Sequence, residues 1–321
     1  MSLRRTVAVA SATLLLASAS AAAASPWVLK PGEFYSELNG SLFSARSFYR
    51  DDERLTLNGK LDEREVMSHN EFGWKKRASV WIGVPFVSRG FTRFTGGTST
   101  STGLGDIDLG IRYRVKGGES PVALSFGWTA STGANAKLFP GTDGDGGTDP
   151  DRYPAASPSN ASDTSLYFNQ GLQSLSVALD FGGHAWKHAY WTAGGDYRYR
   201  YLEFLTTGGD SRNARFVGAQ ATLGWWVTTS LLVTGAFDGE WATEQSANYD
   251  RDRGFEFDLS RMLAGARFTY RVDERMDVFA GSRHVFSGDN VLHYDQFYCG
   301  VAWKHTSLSK YAGAFGGTKE K

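Results

Sequence analysis

The chain has 321 residues, one cysteine, and 34 basic against 34 acidic side chains, so its formal net charge is zero. That balance argues against a nucleic-acid partner, which calls for a basic surplus, and a lone Cys299 excludes an intrachain disulfide. With 38 glycines, 14% aromatic residues and only 8 prolines, the composition fits a curved β-wall with aromatic girdles.

The first residues read as a secretory leader. Arg4 and Arg5 supply a positive start, Val7 to Ala17 a short apolar stretch, and Ala22-Ala23-Ala24 a small-residue cleavage site. This predicts a signal peptide over 1–24 and a mature chain from Ser25. The apolar stretch is shorter than the roughly 20 residues of a spanning helix, and no later segment is long enough either.

Past the leader, apolar and polar residues alternate with period two, interrupted by turn residues. In Ile107–Val115, one face carries Ile107, Leu109, Ile111, Tyr113 and Val115. The other carries Asp108, Gly110, Arg112 and Arg114, with Asp106 just before. A strand separates these sets automatically, whereas a helix mixes them. The pattern repeats at Val122–Trp128, Leu175–Phe181, Trp191–Tyr201, Val217–Trp225, Met262–Tyr270 and Phe297–Trp303. It predicts about twelve strands, near 33–46, 61–74, 78–93, 104–116, 121–134, 165–182, 188–205, 213–226, 230–243, 254–272, 276–287 and 293–305. The second, third and eleventh alternate poorly, which leaves ten or fourteen open.

Connection lengths carry independent information. Short turns fall at 75–77, 117–120, 227–229 and 273–275. Longer connections fall at 47–60, 94–103, 135–164, 206–212, 244–253 and 288–292. This alternation is the asymmetry of an outer-membrane barrel, with short periplasmic turns and long external loops. The predicted fold is therefore all-β: a transmembrane, antiparallel, up-and-down barrel over 25–305, followed by a tail over 306–321, in the bacterial outer membrane. The expected partners are outer-membrane lipid, the barrel assembly machinery during biogenesis, and a small-molecule solute; no cofactor is expected. Trp74, Trp128, Trp186, Trp225, Trp226 and Trp303 fall near strand ends, where interfacial belts sit.

Strand parity places Glu37, Asp106, Asp108, Arg112, Arg114, Asp196, Arg198, Arg200, Asp238, Glu240, Arg267, Arg271 and Lys304 inside, as candidate pore-lining residues. Facing rows of opposite sign would orient polar solutes; the same charges would otherwise form an ion-pair network filling a narrow barrel. In the longest loop, Asp143, Asp145, Asp149 and Asp151 alternate with glycines and small residues, a weak calcium candidate that departs from the EF-hand spacing. His184 and His188 fall at a turn, which disfavours a zinc site. Ser282 and His284 share a strand face, the minimum for a lipid-acting enzyme, but no acidic orienter is evident from sequence. The chain has no Gly-x-Ser-x-Gly elbow, phosphate loop or Cys-x-x-Cys.

The segment Thr102-Gly103-Leu104-Gly105-Asp106-Ile107-Asp108-Leu109-Gly110-Ile111-Arg112-Tyr113-Arg114 resembles a motif of the outer-membrane transporter family named for the meta-pathway of phenol degradation. Asn70–Trp74 followed by Val80–Phe86 looks like the hairpin preceding that motif. The resemblance extends over most of the mature chain and implies a non-enzymatic barrel channel passing small, often hydrophobic or aromatic, compounds. Many bacterial barrels end on a strand with a terminal aromatic; this chain instead continues from Thr306 to Lys321. The alternatives are a structural barrel with a plugged lumen and a lipid-modifying barrel enzyme.

Overall fold

The computed structural model describes residues 26–50, 53–93, 98–130, 172–186, 188–202, 212–245, 260–289 and 291–305. The leader, the loop bearing Asp143, Asp145, Asp149 and Asp151, and the tail lie outside the described residues.

Each strand turns back on its predecessor, except that β5 continues in the direction of β4. The strands are β1 (Phe34–Arg50), β2 (Glu53–Lys75), β3 (Ala78–Arg93), β4 (Thr98–Leu104), β5 (Ile107–Lys116), β6 (Val122–Ala130) and β7 (Leu172–Trp186). They continue as β8 (Ala189–Leu202), β9 (Arg212–Trp226), β10 (Leu231–Gln245), β11 (Ser260–Arg271), β12 (Met276–Asp289) and β13 (Val291–His305). All pairings are antiparallel, and β1 pairs with β13 from Phe34↔His305 to Tyr49↔Val291, which closes the sheet.

Strands β4 and β5 share one place in the wall. β4 pairs with Phe86–Thr92 of β3 and β5 with Ala78–Gly83 of the same strand. The result is a closed barrel of twelve wall positions. The expected strand over 104–116 is thus broken at Gly105-Asp106 and extended upward to Thr98. Pro85 supplies the reason: it has no N–H to give the ladder, and its carbonyl accepts the Gly105 N–H at 2.8 Å.

The outward faces carry the apolar half of each alternation. Leu42, Val66, Phe86, Phe126, Leu175, Leu223 and Phe297 are all exposed on the outside. A continuous apolar band of this kind is an aggregation hazard in water and a requirement in hydrocarbon. At the short-turn end Trp74, Trp186 and Trp225 are exposed, with the rings of Trp186 and Trp225 6.0 Å apart. Trp226 departs from the expected belt: the Arg271 guanidinium lies 4.5 Å over its ring, on the opposite face from Trp225.

Three expected loops are corrected. Most of 47–60 belongs to β1 and β2, part of 94–103 to β4, and 288–289 and 291–292 to β12 and β13. These strands outrun the membrane: β1 has 17 residues and β2 has 23, against the roughly 9–11 a spanning strand needs. Polar residues dominate both faces of the excess, so alternation fades and sequence reads as loop.

The short turns are closed by side-chain caps. In the β11–β12 turn the Asp273 carboxylate accepts the N–H groups of Arg275 and Met276 at 2.7 and 2.8 Å. These bonds hold its carboxyl below the ordinary range. Stabilisation of the turn is therefore complete above the usual aspartate pKa of about 3.9 and fades as pH falls through the lower folded value. Asp273→Ala should accelerate hydrogen exchange at Arg275 and Met276 and leave the β11–β12 ladder amides protected. Unchanged exchange at those two amides would refute the cap.

Candidate functional site

The interior begins with a strap across the short-turn end. Before β1 the chain turns at Lys30–Glu33, where Gly32 has φ 80°, a left-handed conformation that favours glycine. The Gly32 N–H donates to the Gly73 carbonyl and the Gly73 N–H to the Glu33 carbonyl, both at 2.9 Å. Any side chain at Gly73 would overlap the Lys30 backbone. The strap then runs under β5, where Arg114 Nη2 donates to the Val28 carbonyl at 2.7 Å. It ends against β7 and β8: Pro26 is fully buried beside Gly182, and Trp27 meets Tyr190 edge to face at 5.8 Å. In the wall order, β7 and β8 lie opposite β1, so the strap spans the whole mouth.

Each inward residue of β5 has an identifiable role. Asp108 accepts the Thr129 hydroxyl at 2.7 Å. Gly110 lies beneath the Trp81 indole, which a Cβ would penetrate. Arg112 is 1% exposed and its Nη1 donates to both carboxylate oxygens of Glu71, at 3.0 and 2.9 Å; the Ser79 hydroxyl donates to the same carboxylate. Arg114 anchors the strap. Asp106 sits half-buried at the break between β4 and β5. The most distinctive segment of the sequence therefore packs the lumen wall instead of forming a catalytic cluster.

The other inward charges pair along the wall. Glu240 on β10 receives Arg200 at 2.7 Å, Arg198 at 3.1 Å and Arg261 at 3.6 Å. Arg198 also lies 3.5 Å from Asp196. Glu37 takes Arg267 at 3.0 Å and the Tyr35 hydroxyl at 2.6 Å, while the Arg267 guanidinium stacks 3.6 Å over Phe279. Near the short-turn rim Asp277 takes Lys304 at 2.6 Å and Arg271 at 3.7 Å. Asp238 is half-buried on β10, on the same face as Glu240. Strand parity thus brings all these groups inside, but as interleaved pairs, not the facing rows of opposite sign that sequence allows.

These pairs lie within one strand or join strands one to three places apart, so none crosses the lumen. Arg112, Asp196 and Arg267 each bond a neighbour on their own side. Between them lies a chamber of about 370 Å³, lined among others by Glu65, His69, Trp81, Asp108, Arg283 and Tyr298. Glu63, Glu65, Glu71, Arg89, Arg261, Asp277 and Arg283 were not singled out from sequence. Most sit on β2, β3 and β12, where alternation is weak.

Ser282 and His284 do share the outer face of β12, and an acidic partner exists after all: Asp295 of β13 accepts from His284 Nδ1 at 2.7 Å. Only the β12–β13 register reveals it. Ser282, however, is 5% exposed, and no Ser282–His284 hydrogen bond forms among the described residues. His184 lies within β7 and His188 just outside it, and no group of three or more metal-binding side chains occurs among the described residues.

No protein-family model matches the chain, and no curated protein matches it by sequence. Solved structures do match in fold. The COG4313 outer membrane channel from Pseudomonas putida F1 superposes with a TM-score of 0.66 at 11% identity, covering 87% of this chain and 97% of that one. The NanC porin and the translocator domain of the autotransporter NalP from Neisseria meningitidis each give 0.47. The first is 10% identical, covering 84% of this chain and 98% of its own; the second is 11% identical, covering 94% and 93%. The chain is thus a closed twelve-position antiparallel β-barrel of the outer-membrane type.

Glu71→Ala would leave Arg112 buried without a counter-charge, at a cost of about 3–5 kcal/mol. The measured effect should be a lower denaturant midpoint for the detergent-folded barrel. A midpoint equal to wild type would show that the pair does not brace the wall.

Proposed function

We propose that the chain is a bacterial outer-membrane channel for passive uptake of small molecules. The observation that carries this reading is the combination of an apolar outer face with a lumen whose charges pair along the wall and leave a chamber open. On this reading the leader over 1–24 is removed on export, lipid surrounds the apolar band, and the barrel assembly machinery inserts the chain. The short turns and the strap then face the periplasm.

The chamber's chemistry narrows the solute class. Trp81, Tyr298 and Met67 offer apolar and aromatic faces, while Glu65, His69 and Asp108 offer hydrogen-bonding edges. A small aromatic compound bearing a polar substituent fits both. This agrees with the solutes implied by the family resemblance. Selectivity comes from the chamber, and the strap sets the narrowest point.

A second reading has its own support: the strap spans the whole mouth, as a permanent plug would. One experiment separates the two. In planar bilayers the wild-type barrel should pass a small ionic current, and a variant lacking residues 26–32 a current several-fold larger. Zero current and no solute flux in both proteins would sink the channel reading and favour a sealed structural barrel.

A further inference from the structure

A second pocket, of about 280 Å³, opens on the outer surface near the long-loop end. It is separate from the lumen. Its walls are Ser44, Arg46 and Ser47 of β1, Arg54 and Lys60 of β2, and His293, Tyr294 and Asp295 of β13. Strand parity sets its orientation. Leu42 and Phe297 are exposed on the apolar band, and Ser44 and Asp295 follow them two residues on, on the same face. The pocket therefore starts about 7 Å beyond Leu42 and Phe297. That is the level of lipid headgroups.

The pocket is made by an irregularity in the wall. The pairing of β1 with both neighbours shifts between Ala45 and Ser47, leaving Arg46 as an inserted residue. On β2 the partner jumps from Leu61 to Thr56 across the same shift. Ser47 is buried at the base, where its hydroxyl accepts Arg54 Nε at 2.9 Å and lies 3.3 Å from His293 Nδ1. One side of the Arg54 fork is thus fixed to the wall.

Of the three cations that line the pocket, two have no carboxylate partner among the described residues. Lys60 pairs with Asp62 at 2.8 Å, and Asp295 is held by His284 at 2.7 Å. Among the described residues, no carboxylate pairs with Arg46 or Arg54. Two guanidinium groups around one concavity, at headgroup depth, suit a tetrahedral anion that takes paired N–H donors. We propose that this pocket binds a phosphoryl group on the headgroup of an outer-leaflet glycolipid. The proposal rests on the outer-membrane reading but not on conduction through the lumen.

The test uses the full barrel in detergent, with native mass spectrometry as the readout. The probes are bis-phosphorylated lipid A, its dephosphorylated form and inorganic phosphate. Wild type should retain one phosphorylated lipid. Arg46→Gln and Arg54→Gln should each reduce its occupancy about tenfold, and Arg54→Lys, which keeps the charge without the fork, should fall between. Arg77→Gln, in the turn at the opposite end of the barrel, should change nothing. Heat-modifiable migration on gels identifies folded protein; should one glutamine variant fail to fold, the other and Arg54→Lys still decide. Unchanged occupancy in the folded arginine variants would overturn the site, as would equal retention of the dephosphorylated lipid. Saturation by inorganic phosphate without preference for the lipid would assign the pocket to free anions and overturn the headgroup assignment. Single-channel current should be unaffected in these variants, so loss of the lipid site and loss of the channel reading would be seen separately.

Discussion

A polypeptide that meets hydrocarbon must satisfy every backbone N–H and C=O within itself, and in this chain the pairing of β1 with β13 completes that requirement. Without it, two long strand edges would lie bare in lipid. With it, the wall is continuous and each strand is forced to divide its side chains between lipid and lumen. The exposed Leu42, Phe86 and Phe297 and the enclosed Arg112, Glu240 and Arg267 are two results of that single closure.

Closure also concentrates charge. Inward side chains from twelve wall positions converge on one narrow space, where unpaired ions are costly. The barrel answers by placing acids and bases on strands one to three places apart, as with Glu71 and Arg112 or Glu240 and Arg200. Partners at that spacing meet against the wall. Partners on opposite walls would have met in the middle and filled it. Glycines aid the arrangement by letting large rings lie flat, as Trp81 does over Gly110.

Legibility in sequence followed the physics of each strand. Where one face meets lipid and the other the lumen, as in Ile107–Val115, alternation is clean and the strand could be placed within a few residues. In Asp62-Glu63-Arg64-Glu65 both faces are charged, because β2 reaches the edge of the apolar band here: Arg64 pairs with Leu42 and Asp62 with Ser44. Period two then carries no signal, and the lumen acids there went unnoticed. The strap has no periodicity at all, since its backbone bonds go to Gly73 and Arg114 and not to a ladder. Pro85 was a readable warning of the β4–β5 break, because a proline inside a strand marks a lost ladder bond. The pairing of His284 with Asp295 was not readable, because it depends on register between two strands.

The strap has a bearing on how the molecule is put together. Its contacts fall on β2, β5, β7 and β8, and none falls on the strands that follow β8. It can therefore be seated while the sheet is still an open trough, before the seam between the first and last strands is drawn shut. A segment lying inside a finished cylinder would otherwise have to be pushed through an opening it blocks; here the staves are raised around it.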